Sequence, residues 1–217
     1  RPGFHLDRTS TWGYAKLFYS PDSTAKAAQL LLSVADRYKG NNNFEYDLVD
    51  IVRQSLADKA NVLLEEISQS YDRKDKDSFR KQTQQFLGLI LSQDSLLSTR
   101  KEFSVSSWLS AARSLGTTEE EKILYEWNAY ALITVWGDSI AANQGGLHDY
   151  SHREWSGLLK DLYYQRWNTF FEQKQQELDG KLDKSTAEPI HFYGMEKAWA
   201  EKSKTVDVSG KNGPSVI

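Results

Sequence analysis

A chain of 217 residues is long enough to bury a full hydrophobic core. Its 27 basic and 30 acidic residues, net charge -3, are evenly mixed, which excludes the cationic patch that nucleic acid or an anionic membrane surface requires. Without cysteine there is no disulfide, thiolate nucleophile or Cys-ligated zinc, and no stretch approaches the roughly 18 apolar residues of a membrane-spanning helix.

Proline stands only at positions 2, 21, 189 and 214, and between residues 41 and 115 the one glycine is Gly88. A strand-rich chain needs many more turn residues, so the expectation is an all-α fold, an antiparallel helical bundle of about six to seven helices. Residues 1–11 read as a leading segment from a preceding domain, 12–180 as the helical domain, and 181–217 as an extension with one short helix and a loose tail. The start at Arg1, with Met195 as the sole methionine, points to a piece of something longer.

Ser20-Pro21 opens the first helix, with serine as cap and proline at the position where no N–H is needed. Its apolar face carries Ala27, Leu30, Leu31 and Val34, and it runs to about Tyr38 before Gly40 and three asparagines. From Phe44, the set Leu48, Ile51, Val52, Leu56, Leu63, Leu64, Ile67 and Tyr71 keeps helical spacing in a long amphipathic spine. After a charged turn at 72–77, Phe79, Phe86, Leu87, Ile90, Leu91 and Leu97 mark the return helix, and a shorter one passes through Trp108, Leu109 and Ala112 to Gly116. Thr117 with Glu120, and Thr118 with Glu121, offer two overlapping capping boxes for a helix reaching Trp136, where Gly137 ends it. Gly145-Gly146 interrupts the chain, and from about Leu147 a final long helix runs through Trp155, Leu158, Leu159, Leu162, Trp167, Phe170 and Leu178 to Gly180. A last short helix at 192–202 docks Trp199.

Function is concentrated at 136–167, where aromatic side chains crowd around one glycine-punctuated loop. Trp136 and Tyr150 flank that loop, and an indole or phenol face presented there can stack on the C–H face of a sugar. Trp127, Trp155 and Trp167 have the spacing of core residues. His148 and His152, at i and i+4, with Glu172 twenty residues on, form the alternative of a zinc-dependent hydrolase, but Asp149 occupies the position where that pattern needs a glutamate base. Asp149 and Glu154 are acids of the aromatic stretch, Asp149 reading as a helix cap or a partner of Arg153, and no carboxylate pair stands out for acid/base work. No Gly-x-Ser-x-Gly elbow or P-loop occurs. A third reading is a purely structural or protein-binding bundle.

The segments YDLVDIVRQ at 46–54, SWLSAAR at 107–113, ITVWG at 133–137 and LHDYSHREWSGLLKDLYYQRW at 147–167 resemble the C-terminal helical domain of the α-N-acetylglucosaminidases, glycoside hydrolase family 89. The resemblance runs from about Trp12 to Leu178. It implies an enzyme that releases terminal α-linked N-acetylglucosamine with retention, using two glutamates on a catalytic (β/α) barrel that nothing in this chain matches. The fragment would then be inactive alone, need no cofactor or metal, and have as partners the barrel of the same polypeptide and a glycan ending in N-acetylglucosamine. By the same resemblance, Trp136, Leu147 and Tyr150 line the substrate pocket. The absence of any Asn-x-Ser/Thr sequon adds the expectation of a bacterial protein, periplasmic or secreted.

Overall fold

The computed structural model describes residues 18–137, 139 and 153–202. Among these it contains seven α-helices and no strand, in agreement with the all-α expectation. We number them α1 (Pro21–Ser33), α2 (Asn42–Asp72), α3 (Lys76–Leu97), α4 (Val105–Arg113), α5 (Glu119–Leu132), α6 (Tyr164–Leu178) and α7 (Phe192–Ala200). The chain divides into two compact units, one formed by residues 1–106 and 153–192, the other by 107–152 and 193–217.

In the first unit, α1 begins at Pro21 as its sequence dictates, although the Ser20 hydroxyl makes no capping bond. The helix ends at Ser33, short of the expected Tyr38, because the chain tightens at Val34 into a 3-10 turn over Ala35–Tyr38, a common exit from an α-helix. Asn41 then caps α2, its side-chain oxygen accepting the Phe44 N–H at 3.1 Å. The spine spans 31 residues, and Asp75 caps α3 by accepting the Ser78 N–H at 3.1 Å. Their hairpin buries Leu63, Leu64 and Ile67 of α2 against Phe79, Phe86 and Ile90 of α3. Helix α6 closes this core with an aromatic cluster: Phe86 lies 4.7 Å from Trp167, and Phe171 meets Phe86 edge-on at 5.5 Å.

The expected long final helix from Leu147 is corrected by the structure in its described part. Residues 153–155 are not helical, and Ser156 bridges to Ser104 instead. The helical run starts only at Leu158 and passes through a π-turn, Leu159–Tyr163, before α6. Leu158, Leu159 and Leu162 are all buried, as their shared helical face dictates, and the extra residue of the π-turn is a register change that spacing alone does not reveal.

In the second unit, Thr118 and Glu121 form the capping box of α5, so the alternative pairing of Thr117 with Glu120 is not used. Arg113 at the end of α4 ties to Glu126 at 3.1 Å and Glu119 at 2.7 Å on α5, and the Trp108 indole N–H donates to the Ala129 carbonyl at 3.0 Å. Helix α7 docks Trp199, which is buried, edge-on against Tyr130 at 4.6 Å.

Candidate carbohydrate site

Helix α5 was expected to reach Trp136 but stops at Leu132, leaving three buried residues, Ile133, Thr134 and Val135, to carry the chain to it. At that point Trp136 adopts φ +58, a left-handed conformation that a bulky side chain rarely takes. The N–H of Gly137 donates to the Val135 carbonyl at 2.7 Å, which makes Trp136 the centre of a strained γ-type turn. The Trp136 N–H itself donates back to Ala131 at 3.0 Å. The outcome is an indole turned outward and 43% exposed, at the rim of a hollow of about 430 Å³. Trp127, Tyr193, Lys197 and Glu201 also line this hollow. Trp127 is therefore half-buried along a concave wall rather than a core residue. A tryptophan wall with an amine, a carboxylate and a phenol beside it has the mixture of apolar face and polar donors that sugar binding uses.

The far end of the aromatic stretch is fixed in the first unit. The N–H of Ser156 donates to the Phe103 carbonyl at 2.8 Å, and the Ser156 carbonyl accepts the Val105 N–H at 3.0 Å. Gly157, at φ +88, places its backbone so close to Val105 that a Cβ would lie 2.7 Å from the Val105 Cγ1. The buried carboxylate of Asp94, on α3, accepts the N–H groups of Gly157 at 2.7 Å and Lys160 at 3.0 Å. It thereby caps the helical run after Gly157 from another helix, where negative charge meets the positive end of the dipole.

Glu154 completes this foot through an ion pair with Arg53 of α2 at 2.8 Å. Burial pushes the Glu154 carboxyl above its ordinary value, while the Arg53 guanidinium and the Gln93 side chain pull it back. Burial alone would lower the Arg53 pKa, but its bonds to Asp50 and the charge of Glu154 hold it above the usual arginine value. Trp155, expected in the core, is half-buried, with the Arg153 guanidinium 4.9 Å from its ring centre. Trp167 does pack against the core.

Leu147 and Tyr150, the other two residues expected at the pocket, lie outside the described residues, as do His148, Asp149 and His152. Glu172, the third member of the zinc alternative, accepts a hydrogen bond from the Asn168 amide at 2.8 Å. Among the described residues no group of three or more histidines or acids is arranged to hold a metal. Sequence reasoning missed the anchors Arg53, Asp94 and Gly157. The available signal for Arg53 was an Asp-x-x-Arg pair on one face of α2, which looks like any surface pair until its partner across the fold is known.

A family model described as the α-N-acetylglucosaminidase (NAGLU) C-terminal domain matches residues 1–216. The chain belongs to this family. Human α-N-acetylglucosaminidase is 30% identical over 173 residues, which are 79% of this chain and 22% of the human protein. A family 89 glycoside hydrolase from Clostridium perfringens, solved in complex with 2-acetamido-1,2-dideoxynojirmycin, superposes with a TM-score of 0.87 at 38% identity. That match covers 95% of this chain and 23% of the clostridial one. The clostridial protein in complex with its substrate GlcNAc-α-1,4-galactose gives the same score, identity and coverage. The chain thus spans less than a quarter of the length of these relatives.

Proposed function

We propose that this chain is the pocket-walling helical domain of an α-N-acetylglucosaminidase that removes terminal α-linked N-acetylglucosamine with retention. The general acid and the nucleophile belong to a catalytic barrel of the same polypeptide. Trp136, Leu147 and Tyr150 supply apolar and aromatic surface to the sugar. The observation that carries this reading is Trp136 itself: an exposed indole in a strained turn within a family whose named members act on N-acetylglucosaminides. Backbone strain is a recurrent property of functional positions. A bacterial source, with the enzyme periplasmic or secreted, is part of the same reading; the higher identity to the clostridial than to the human relative supports its bacterial half.

The test is kinetic. In the full-length enzyme acting on a chromogenic α-N-acetylglucosaminide, Trp136→Ala lowers kcat/KM by about tenfold or more, as loss of a stacking platform does, and Tyr150→Phe lowers it less. The 217-residue chain alone shows no turnover. Robust hydrolysis by that chain, or unaltered kinetics in both variants, would overturn the assignment.

A further inference from the structure

One stacking platform does not need a groove, yet the hollow beside Trp136 is walled by one face of each of two helices. Trp127 and Ala131 stand one turn apart on α5, and Tyr193, Lys197 and Glu201 keep the same spacing along α7 and the turn that follows it. The Tyr193 hydroxyl lies 3.4 Å from the Gly137 carbonyl oxygen, so α7 begins at the Trp136 end, and the Trp199 ring against Tyr130 at 4.6 Å carries it back along α5. The groove therefore runs from Trp136 toward Trp127, and from Tyr193 to Glu201 it follows roughly 12 Å of helix axis, longer than one sugar ring. It stays open because Ala131 and the buried Ala200 contribute only methyl groups to its lining.

The far end repeats the chemistry of the near one, with a second indole, Trp127, beside charged groups. The Lys197 ammonium donates hydrogen bonds and the Glu201 carboxylate accepts them, which suits hydroxyls, groups that do both. An apolar peptide laid in the groove would instead desolvate both charges without pairing them. With terminal N-acetylglucosamine at Trp136, the rest of the glycan lies wholly on the leaving-group side, because the sugar removed is the last one. A second sugar on this wall is then the next one along.

We propose that the groove between α5 and α7 binds the sugar to which terminal N-acetylglucosamine is attached, with Trp127 as its stacking platform and Lys197 and Glu201 as its hydrogen-bonding partners. This rests on the pocket-wall role of Trp136. It gives the helical domain a part in selecting the leaving group as well as in gripping the sugar that is released.

The experiment compares two substrates of the full-length enzyme. One is GlcNAc-α-1,4-galactose, the substrate bound in the clostridial relative. The other is the α-fluoride of N-acetylglucosamine, whose leaving group is too small to enter the groove. Trp127→Ala and Lys197→Met each lower kcat/KM for the disaccharide about tenfold more than for the fluoride. Trp136→Ala lowers both by similar factors, since it meets the sugar that the two substrates share. If Trp127→Ala fails to fold, the exposed Lys197→Met decides the matter. A native ratio between the substrates in the groove variants, as another domain covering the groove would give, overturns the proposal, and so do equal losses on both. The two readings part at Trp136→Ala: if it slows both substrates while the groove variants keep the native ratio, the wall stands and the second sugar site falls. If it too leaves both rates unchanged, both readings fall.

Discussion

Gly157 is the residue whose replacement the structure punishes most directly. Alanine there would meet the Val105 side chain at 2.7 Å and would have to hold φ +88. Gly157→Ala should cost about 2 kcal/mol or more, measured by urea denaturation. Adding Val105→Ala relieves the clash and recovers only part of that loss, since the backbone conformation stays unfavourable. Asp94 is comparable in consequence. Removing its buried carboxylate in Asp94→Ala takes away the charged acceptor of the Gly157 and Lys160 N–H groups, at a cost of about 2 kcal/mol by the same measurement. Neither residue announced its role in the sequence. Gly157 sat inside an apparently continuous helical pattern, and Asp94 looked like one more polar residue on α3, because the bonds that define both cross the fold. Trp136 was legible as an aromatic beside a glycine, but its left-handed backbone was not, since tryptophan carries no local preference for that conformation.

At the scale of the element, the helices with strong end signals were readable. Thr118 with Glu121 and Asn41 ahead of α2 each form the cap that their residue types favour. Helix ends set by packing were not readable: α1 stops at Ser33, short of Gly40, and α5 at Leu132, short of Gly137. The caps also make the fold sensitive to acid. Bonds from the Ser78 side chain and backbone hold the Asp75 carboxyl below its ordinary value, and the Thr117 side chain, with the backbone N–H groups of Thr117 and Thr118, does the same for Glu121. A carboxyl whose pKa is lower in the folded than in the unfolded chain contributes stability that is fully present above the unfolded value, about 4, and is lost as pH falls through the folded one. Denaturation midpoints should therefore decline as pH drops below about 5, and Asp75→Asn or Glu121→Gln should flatten that decline. An unchanged slope in both variants would remove these caps from the explanation.

Over the whole molecule, scarcity of proline and glycine and the spacing of apolar residues were sufficient to establish an all-α chain, because those signals are local and repeated. The hollow beside Trp136 was not foreseeable in the same way, since it needs Trp127 and Trp136 from one region and Tyr193 from α7, more than fifty residues later. Sequence separation also has a consequence in time. The α2–α3 hairpin joins neighbours, whereas the bridge at Ser104 waits for Ser156, and Asp94 waits for Gly157 and Lys160. Contacts between distant parts of a chain are slow to form, and during synthesis the later partner has yet to leave the ribosome. The clasp on residues 153–157 is thus made after the scaffold it closes upon, so a nascent chain halted before residue 156 should already protect the amides of α2 and α3 from exchange while that seam is still open.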